Sequence, residues 1–322
     1  MDKKDDLTLM KARGYRRVLS AGFRLYTGHF RRLFKASWHM ALLYALSCGA
    51  LGTLTAIKLP EINIGITQQI IAYQAISIES IKQYSITILE ILLLMLLALA
   101  TLSLASAPIL SKLKEHKETG TITMPLHWLT ASPHLMGRTL KGCFLTLFVM
   151  ALPLLLFFAL LAVAEAVSSQ FVIRHLMTTV GAFAVCSLIA LMLELPLMHV
   201  LMKYLMEAPC NYWRTLGRNY GRGLSHWGSM FLVFFVSLLM VALFSFIISM
   251  PANILQFANQ TAQTGLLMGD PLGMPSYMTA LTFVTFTFCS FLNFYVCQTT
   301  LVHNYYIYGS IETKEYEKDI VH

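Results

Sequence analysis

Four polar side chains sit inside runs of apolar residues: Glu194 and His199 in one run, Asn293 and Gln298 in another. An ionisable group in an apolar medium is costly unless it is paired or has work to do. Glu194 is followed by Pro196. A proline inside a helix frees a carbonyl about one turn earlier and bends the helix there. Two uses of Glu194 stay open on this pattern. It can take up a proton or hold a polar ligand at the bend, or it can cap freed backbone donors or pair with a nearby arginine. In the second run Thr282, Thr285, Cys289, Asn293, Val296 and Thr300 recur at helical spacing, with Gln298 and Thr299 adjoining. Such a face turns toward other helices, either for interhelical hydrogen bonds or as the lining of a polar path. We take Glu194, His199, Asn293 and Gln298 as a candidate polar site.

A second candidate set is cationic: Arg32, Arg138, Arg214, Arg218 and Arg222. These arginines belong to three segments with a common pattern: a large apolar residue, any residue, Arg, any residue, then Phe or Leu. The copies are Phe30-Arg31-Arg32-Leu33-Phe34, Met136-Gly137-Arg138-Thr139-Leu140 and Tyr220-Gly221-Arg222-Gly223-Leu224. Each leads into a long apolar run. In the first, Tyr15, Leu19, Phe23, Tyr26, Phe30 and Phe34 step by three and four, with the basic residues largely off that stripe. In the third, Tyr212, Leu216, Tyr220 and Leu224 step by four, and Arg214, Arg218 and Arg222 step by four two residues out of phase. The middle one starts with Ser132 as N-cap and Pro133 at the first helical position. Helices of this kind lie at a membrane interface with guanidinium groups on phosphates. Anchoring and topology control is the ordinary reading, and a specific anionic-lipid or partner-docking surface the sharper one.

Other chemistry is missing. There is no phosphate-binding loop, no dinucleotide fingerprint, no HExxH and no GxSxG. His127, His134, His199 and His303 are scattered near the ends of apolar runs. Cys48, Cys143, Cys186, Cys210, Cys289 and Cys297 lack any zinc spacing and read as unpaired. We therefore expect no enzyme activity, no cofactor and no metal. The net charge of +8 flanks apolar segments, which points to anionic lipid rather than nucleic acid.

The elements that position these residues follow from composition. Of 322 residues, 57% are hydrophobic and 12% charged, about half the charge that a soluble domain carries. Six stretches are long enough to cross a bilayer as helices: Ala36–Ile57, Ile86–Leu110, Cys143–Val167, Leu176–Met202, Trp227–Met250 and Met278–Val302. Ten Lys and Arg precede the first stretch, five follow the second, four follow the fourth and two follow the sixth. The intervening connections on the other side hold two, one and none. That bias places both termini in the cytoplasm. The expected fold is an all-α membrane protein with six transmembrane helices, built as three units of interfacial amphipathic helix plus hairpin. Residues 1–35 form a basic amphipathic segment, 36–302 the six-helix domain with units near 14–117, 118–203 and 204–302, and 303–322 a cytoplasmic tail. The segments Lys58–Ser85 and Pro251–Tyr277 read as long connections that cap the far side. Glu165 and Arg174 read as an ion pair across one hairpin. Ala41, Ala45, Gly49 and Thr53 form a small-residue row that lets a neighbouring helix approach closely.

The lead-in Tyr26-Thr27-Gly28-His29-Phe30-Arg31-Arg32-Leu33-Phe34, repeated before hairpins, resembles a broad family of six-helix bacterial membrane domains. That family occurs as the membrane domain of some glycerophosphodiester phosphodiesterases and alone in proteins of unknown function. The phosphodiesterase barrel is absent here, so the resemblance implies a multi-pass protein of the bacterial cytoplasmic membrane and no hydrolase activity. Mitochondrial carriers share the three-hairpin plan, but their Pro-x-[Asp/Glu]-x-x-[Lys/Arg] signature is missing. The expected role is non-enzymatic handling or transport of a lipid or small amphiphile. The alternative is a permease or scaffold subunit with an unidentified protein partner, such as a separate ATPase.

Overall fold

The computed structural model describes residues 8–71, 78–125, 131–167, 172–207, 210–267 and 275–321. Seven helices run through them: α1 (Tyr15–Ile71), α2 (Ile78–Thr119), α3 (Pro133–Val167), α4 (Val172–Met206), α5 (Tyr212–Ser225), α6 (Trp227–Leu267) and α7 (Met278–Val321). No strand occurs among the described residues. All but α5 are long and apolar enough to cross a membrane, so the chain is a multi-pass membrane protein. The lengths exceed what crossing needs. At 1.5 Å per residue the 57 residues of α1 extend about 85 Å, against a hydrocarbon core of about 30 Å.

α1 and α7 form an antiparallel pair along most of their length. At one end the Arg13 amide donates to Ser310 Oγ at 3.0 Å. Further along, the Tyr26 hydroxyl donates to the Tyr295 carbonyl at 2.6 Å. Beyond that, a Cβ at Gly49 would meet Thr287 and, at 3.2 Å, the Phe283 carbonyl. Ala41 and Ala45 are fully buried, so the small-residue row does serve close packing. Around this pair, α2 packs on α1, α6 on both, α3 on α4 and α2, and α5 on α4. We name the end where α1 begins and α7 finishes the terminal end, and the other the far end.

Several elements are longer than the sequence suggested. The expected connections 58–85 and 251–277 are largely helical: α1 runs through Pro60 to Ile71, α2 begins at Ile78, and α6 runs through Pro251 to Leu267. Their amides find partners on neighbouring helices. Gln263 Nε2 donates to the Ile57 carbonyl at 2.7 Å, three residues before Pro60, where the proline loosens the backbone ladder. Asn259 Nδ2 donates to Thr282 Oγ1 at 3.3 Å. Tertiary packing of this kind, rather than propensity, sustains a helix past its apolar run.

The lead-ins differ among themselves. Ser132 caps α3 as expected, accepting from the Leu135 amide at 3.3 Å. Both α1 and α3 then continue through their basic segments into the apolar runs with no break. The third lead-in alone is a separate helix, α5, which ends at Ser225, with His226 as its C-cap immediately before α6. On α1 the face turned to the bundle is Val18, Ala21, Leu25, Leu33 and Ala36, all buried, while Tyr15, Phe23 and Phe30 of the aromatic stripe stay exposed. Small and branched residues let α7 approach; the rings flank that seam, and Phe30 and Phe34 lean on Tyr295.

Candidate functional site

Close packing is concentrated at the terminal end. The largest fully buried side chains include Leu25, Leu33, Leu110, Leu113, Leu195, Tyr212, Tyr305, Tyr306 and Tyr308. They come from five helices that meet there. Four tyrosines in such a setting carry hydroxyl groups that need partners, and Tyr305 and Tyr308 find theirs in a polar network.

Glu312 of α7 is its centre. Lys203 Nζ of α4 lies 2.9 and 2.8 Å from its two carboxylate oxygens, and His199 Nε2 lies 3.5 Å from Oε1. The Lys203 and Glu312 side chains are 12% and 17% exposed, so the pair is largely withdrawn from water. The Tyr308 hydroxyl donates to Glu207 Oε1 at 2.8 Å and accepts from Lys117 Nζ at 3.0 Å. Lys117 also lies over the Tyr308 ring, 5.2 Å from its centroid. One turn back, the Tyr305 hydroxyl meets His116 Nδ1 at 2.9 Å. On the next turn, Glu315 accepts from His226 Nε2 at 3.0 Å and from Lys318 Nζ at 2.8 Å. α2, α4 and α7 are thus joined through alternating charge, with the α5–α6 junction tied in through His226.

The candidate polar residues are distributed over several helix seams rather than gathered in one. His199 is buried within the network above. Gln298 Nε2 donates to Ser106 Oγ of α2 at 3.2 Å. Asn293 Nδ2 donates to Ser249 Oγ of α6 at 2.8 Å. With the Asn259 donation to Thr282, these bonds show the polar face of α7 acting as interhelical glue. Glu194 is half-buried and has no hydrogen-bond or ion-pair partner among the described residues. It lies one turn from Met198 on the same helix face. Met198 Sδ accepts from Asn304 Nδ2 of α7 at 3.3 Å.

Glu194 also marks a change in packing. Nine of the twelve residues from Leu195 to Met206 are buried, against Cys186 alone from Thr179 to Glu194 among the described residues. Side-chain ties from α4 to α7 run from Met198 through His199 to Lys203, toward the terminal end. On α7, Thr300 and Cys297 continue the row of Asn304 toward the far end; Thr300 is half-buried and Cys297 exposed.

The cationic candidates divide in two. Arg32 donates to the Ile122 carbonyl. Arg138 donates to the Tyr204 carbonyl and, at 2.7 Å, to the Glu207 carbonyl, with its guanidinium 4.7 Å from the Tyr204 ring centroid. These two clamp the chain to itself. Arg222 Nε lies 4.0 Å from Glu315. Arg214 and Arg218 are exposed and have no such partner among the described residues.

Lys203, Glu207, Glu312, Tyr308, Lys117 and His116 do not stand out in the sequence. The available signal was Val302, Tyr305, Tyr306, Tyr308 and Ile311, which carry an apolar face into the supposed tail. The Glu165–Arg174 pair lies outside the described side chains. Among the described residues no group of three or more His, Cys, Asp and Glu is placed to hold a metal, and the six cysteines are free. No family model, curated protein or solved structure matches the chain.

Proposed function

We propose that this chain is a non-enzymatic protein of the bacterial cytoplasmic membrane that handles or transports a lipid or small amphiphile. The observation that carries the reading is the contrast along α4. From Met198 toward the terminal end the helix is bound to α7 by bonded and charged contacts. From Glu194 toward the far end its described residues lie largely uncovered, Cys186 alone being buried, and Glu194 carries a carboxyl with no partner among the described residues. Beyond that point Val180, Phe183, Leu188 and Met192 leave more than half of their surface uncovered by protein. An apolar tail lies against such a surface at no cost in lipid, while a polar head finds Glu194, Thr300 and Cys297 at its base. The basic flanks support a cytoplasmic terminal end, and on that reading the looser half faces the outer leaflet.

Dithionite quenching of NBD-labelled phosphatidylethanolamine and phosphatidylglycerol in proteoliposomes tests the proposal. The wild-type chain is expected to speed the loss of inner-leaflet fluorescence, and Glu194→Gln to abolish that gain at unchanged reconstitution yield and melting temperature. Equal rates in empty and protein-bearing vesicles, or a Glu194→Gln rate equal to wild type, would overturn it.

A further inference from the structure

We infer that α5 is a docking surface for anionic phospholipid headgroups in the leaflet at the terminal end, held by Arg214 and Arg218. The inference is independent of the handling role proposed above, since it concerns different residues, on the outward face of α5.

The depth of α5 is set by what it touches. The Tyr212 hydroxyl is 2.9 Å from Thr146 Oγ1 of α3, and the Tyr212 ring meets that of Tyr204 edge-on with centroids 5.5 Å apart. At its other end, a Cβ on Gly223 would stand 3.0 Å from Pro196 Cα, so glycine lets α5 lie directly on the α4 backbone at its proline. Thr146 and Pro196 both belong to apolar runs, within a few residues of their basic flanks. One residue after α5 the chain turns into α6. The helix therefore lies at the boundary between acyl chains and headgroups.

Its two faces are chemically distinct. Tyr212, Thr215, Asn219 and Gly223 are buried against the bundle. Outward it presents Arg214 and Arg218, with Trp213 50% and Leu224 48% exposed. No acidic residue occurs between Tyr212 and Ser225. Arg214 and Arg218 are one turn apart, hence side by side. Each retains five donor hydrogens in a planar fork, the geometry that matches a phosphate. Arg32 and Arg138 spend donors on carbonyls, and Arg222 faces Glu315. The tryptophan ring is suited to the interface beside them. A free guanidinium pair, an aromatic anchor and no competing carboxylate complement a phosphodiester on an acyl anchor.

Native mass spectrometry of the full chain released from nanodiscs reads this directly. The discs hold equal amounts of phosphatidylglycerol and phosphatidylcholine with identical acyl chains. At about fivefold per arginine near an anionic surface, the wild type is expected to retain phosphatidylglycerol in clear excess. Arg214→Gln with Arg218→Gln should bring the retained ratio close to that of the disc. The corresponding double Lys variant should keep most of the excess. Because both side chains are exposed, melting temperature and elution volume should not change. Added salt should lower the wild-type excess by screening, a readout that needs no variant. Equal retention of both lipids by the wild type, or an undiminished excess in the double Gln variant, would overturn the inference. So would complete displacement of phosphatidylglycerol by millimolar inorganic phosphate, which would mark an anion site with no need of a lipid.

Discussion

The two ends of this bundle obey different rules of cohesion. At the terminal end, five helices bring tyrosines, lysines, histidines and carboxylates into contact, and hydrogen bonds and ion pairs run from one helix to the next. At the far end the long helices carry exposed leucines, phenylalanines and valines, with a few amide and hydroxyl bonds among α1, α6 and α7. The difference follows from the solvent each half meets. Lipid is as apolar as leucine, so apolar side chains gain little by turning inward, and only polar contacts or close backbone approach hold helices together. Near water, burial of apolar surface returns as a driving force and tyrosines can bury their rings and bond their hydroxyls. The comparison yields a ranking of substitutions, from those that break the polar layer to those that leave the bundle unaffected.

The largest loss is expected at Glu312. Removing one partner of a largely buried charge pair leaves the other uncompensated, at about 3–5 kcal/mol. Glu312→Ala should lower the melting temperature in mild detergent by more than Gly223→Val, Tyr308→Phe or Leu188→Ala. Lys203→Ala should resemble it, and the two together should cost less than their sum, because each removes the same contact. Full additivity in that double-mutant cycle would mean that Lys203 and Glu312 act separately, and that the layer is not a network.

The next effects concern packing and a single hydroxyl. Gly223→Val would push a branched side chain into the backbone at Pro196, and overpacking of this kind costs about 1–3 kcal/mol. A melting temperature equal to wild type would show that α5 is not seated on α4 as described. Tyr308→Phe keeps the ring but removes the hydroxyl that joins Glu207 to Lys117. Leaving such groups short of a partner costs about 1–3 kcal/mol, and the lower figure applies here because Glu207 keeps a distant lysine and Lys117 keeps the ring. The measurement is again thermal unfolding, with Tyr308→Phe expected to fall between Glu312→Ala and wild type.

The sequence showed the fold class well and the polar layer poorly, for a physical reason. Six long apolar runs have one solution in lipid, so the helices were legible without any partner. Contact between distant segments was not. Glu312 and Glu315 stand in a stretch that ends Glu-Tyr-Glu-Lys-Asp, which reads as a solvated tail. Its burial depends on α1, α2 and α4 closing round Tyr305, Tyr306 and Tyr308. His199 was visible as an oddity, yet its neighbour Glu312 is more than one hundred residues away in the chain. Helix ends were misplaced for a related reason. Asn259 and Gln263 look like loop residues until a hydroxyl on α7 and a carbonyl on α1 are found opposite them. The arginines show the reverse case: five looked alike in sequence, and geometry separates Arg32 and Arg138, turned to carbonyls, from Arg214 and Arg218.

The smallest expected effect tests the comparison from its other side. Leu188 on α4 is 64% exposed and lies in the half of that helix whose described residues are largely uncovered. In water a Leu→Ala change in a core removes about 2–5 kcal/mol, because the lost methyl groups had been taken out of solvent. Here the leucine exchanges lipid contact for lipid contact, and surface changes without a partner usually stay within about 0.5 kcal/mol. Leu188→Ala should therefore melt with the wild type in nanodiscs. A drop as large as that of Tyr308→Phe would show that this face is covered in the bilayer, by a second copy of the chain or by another protein. The far half would then owe its apparent looseness to a missing neighbour, and the two-rule account of the bundle would fail there.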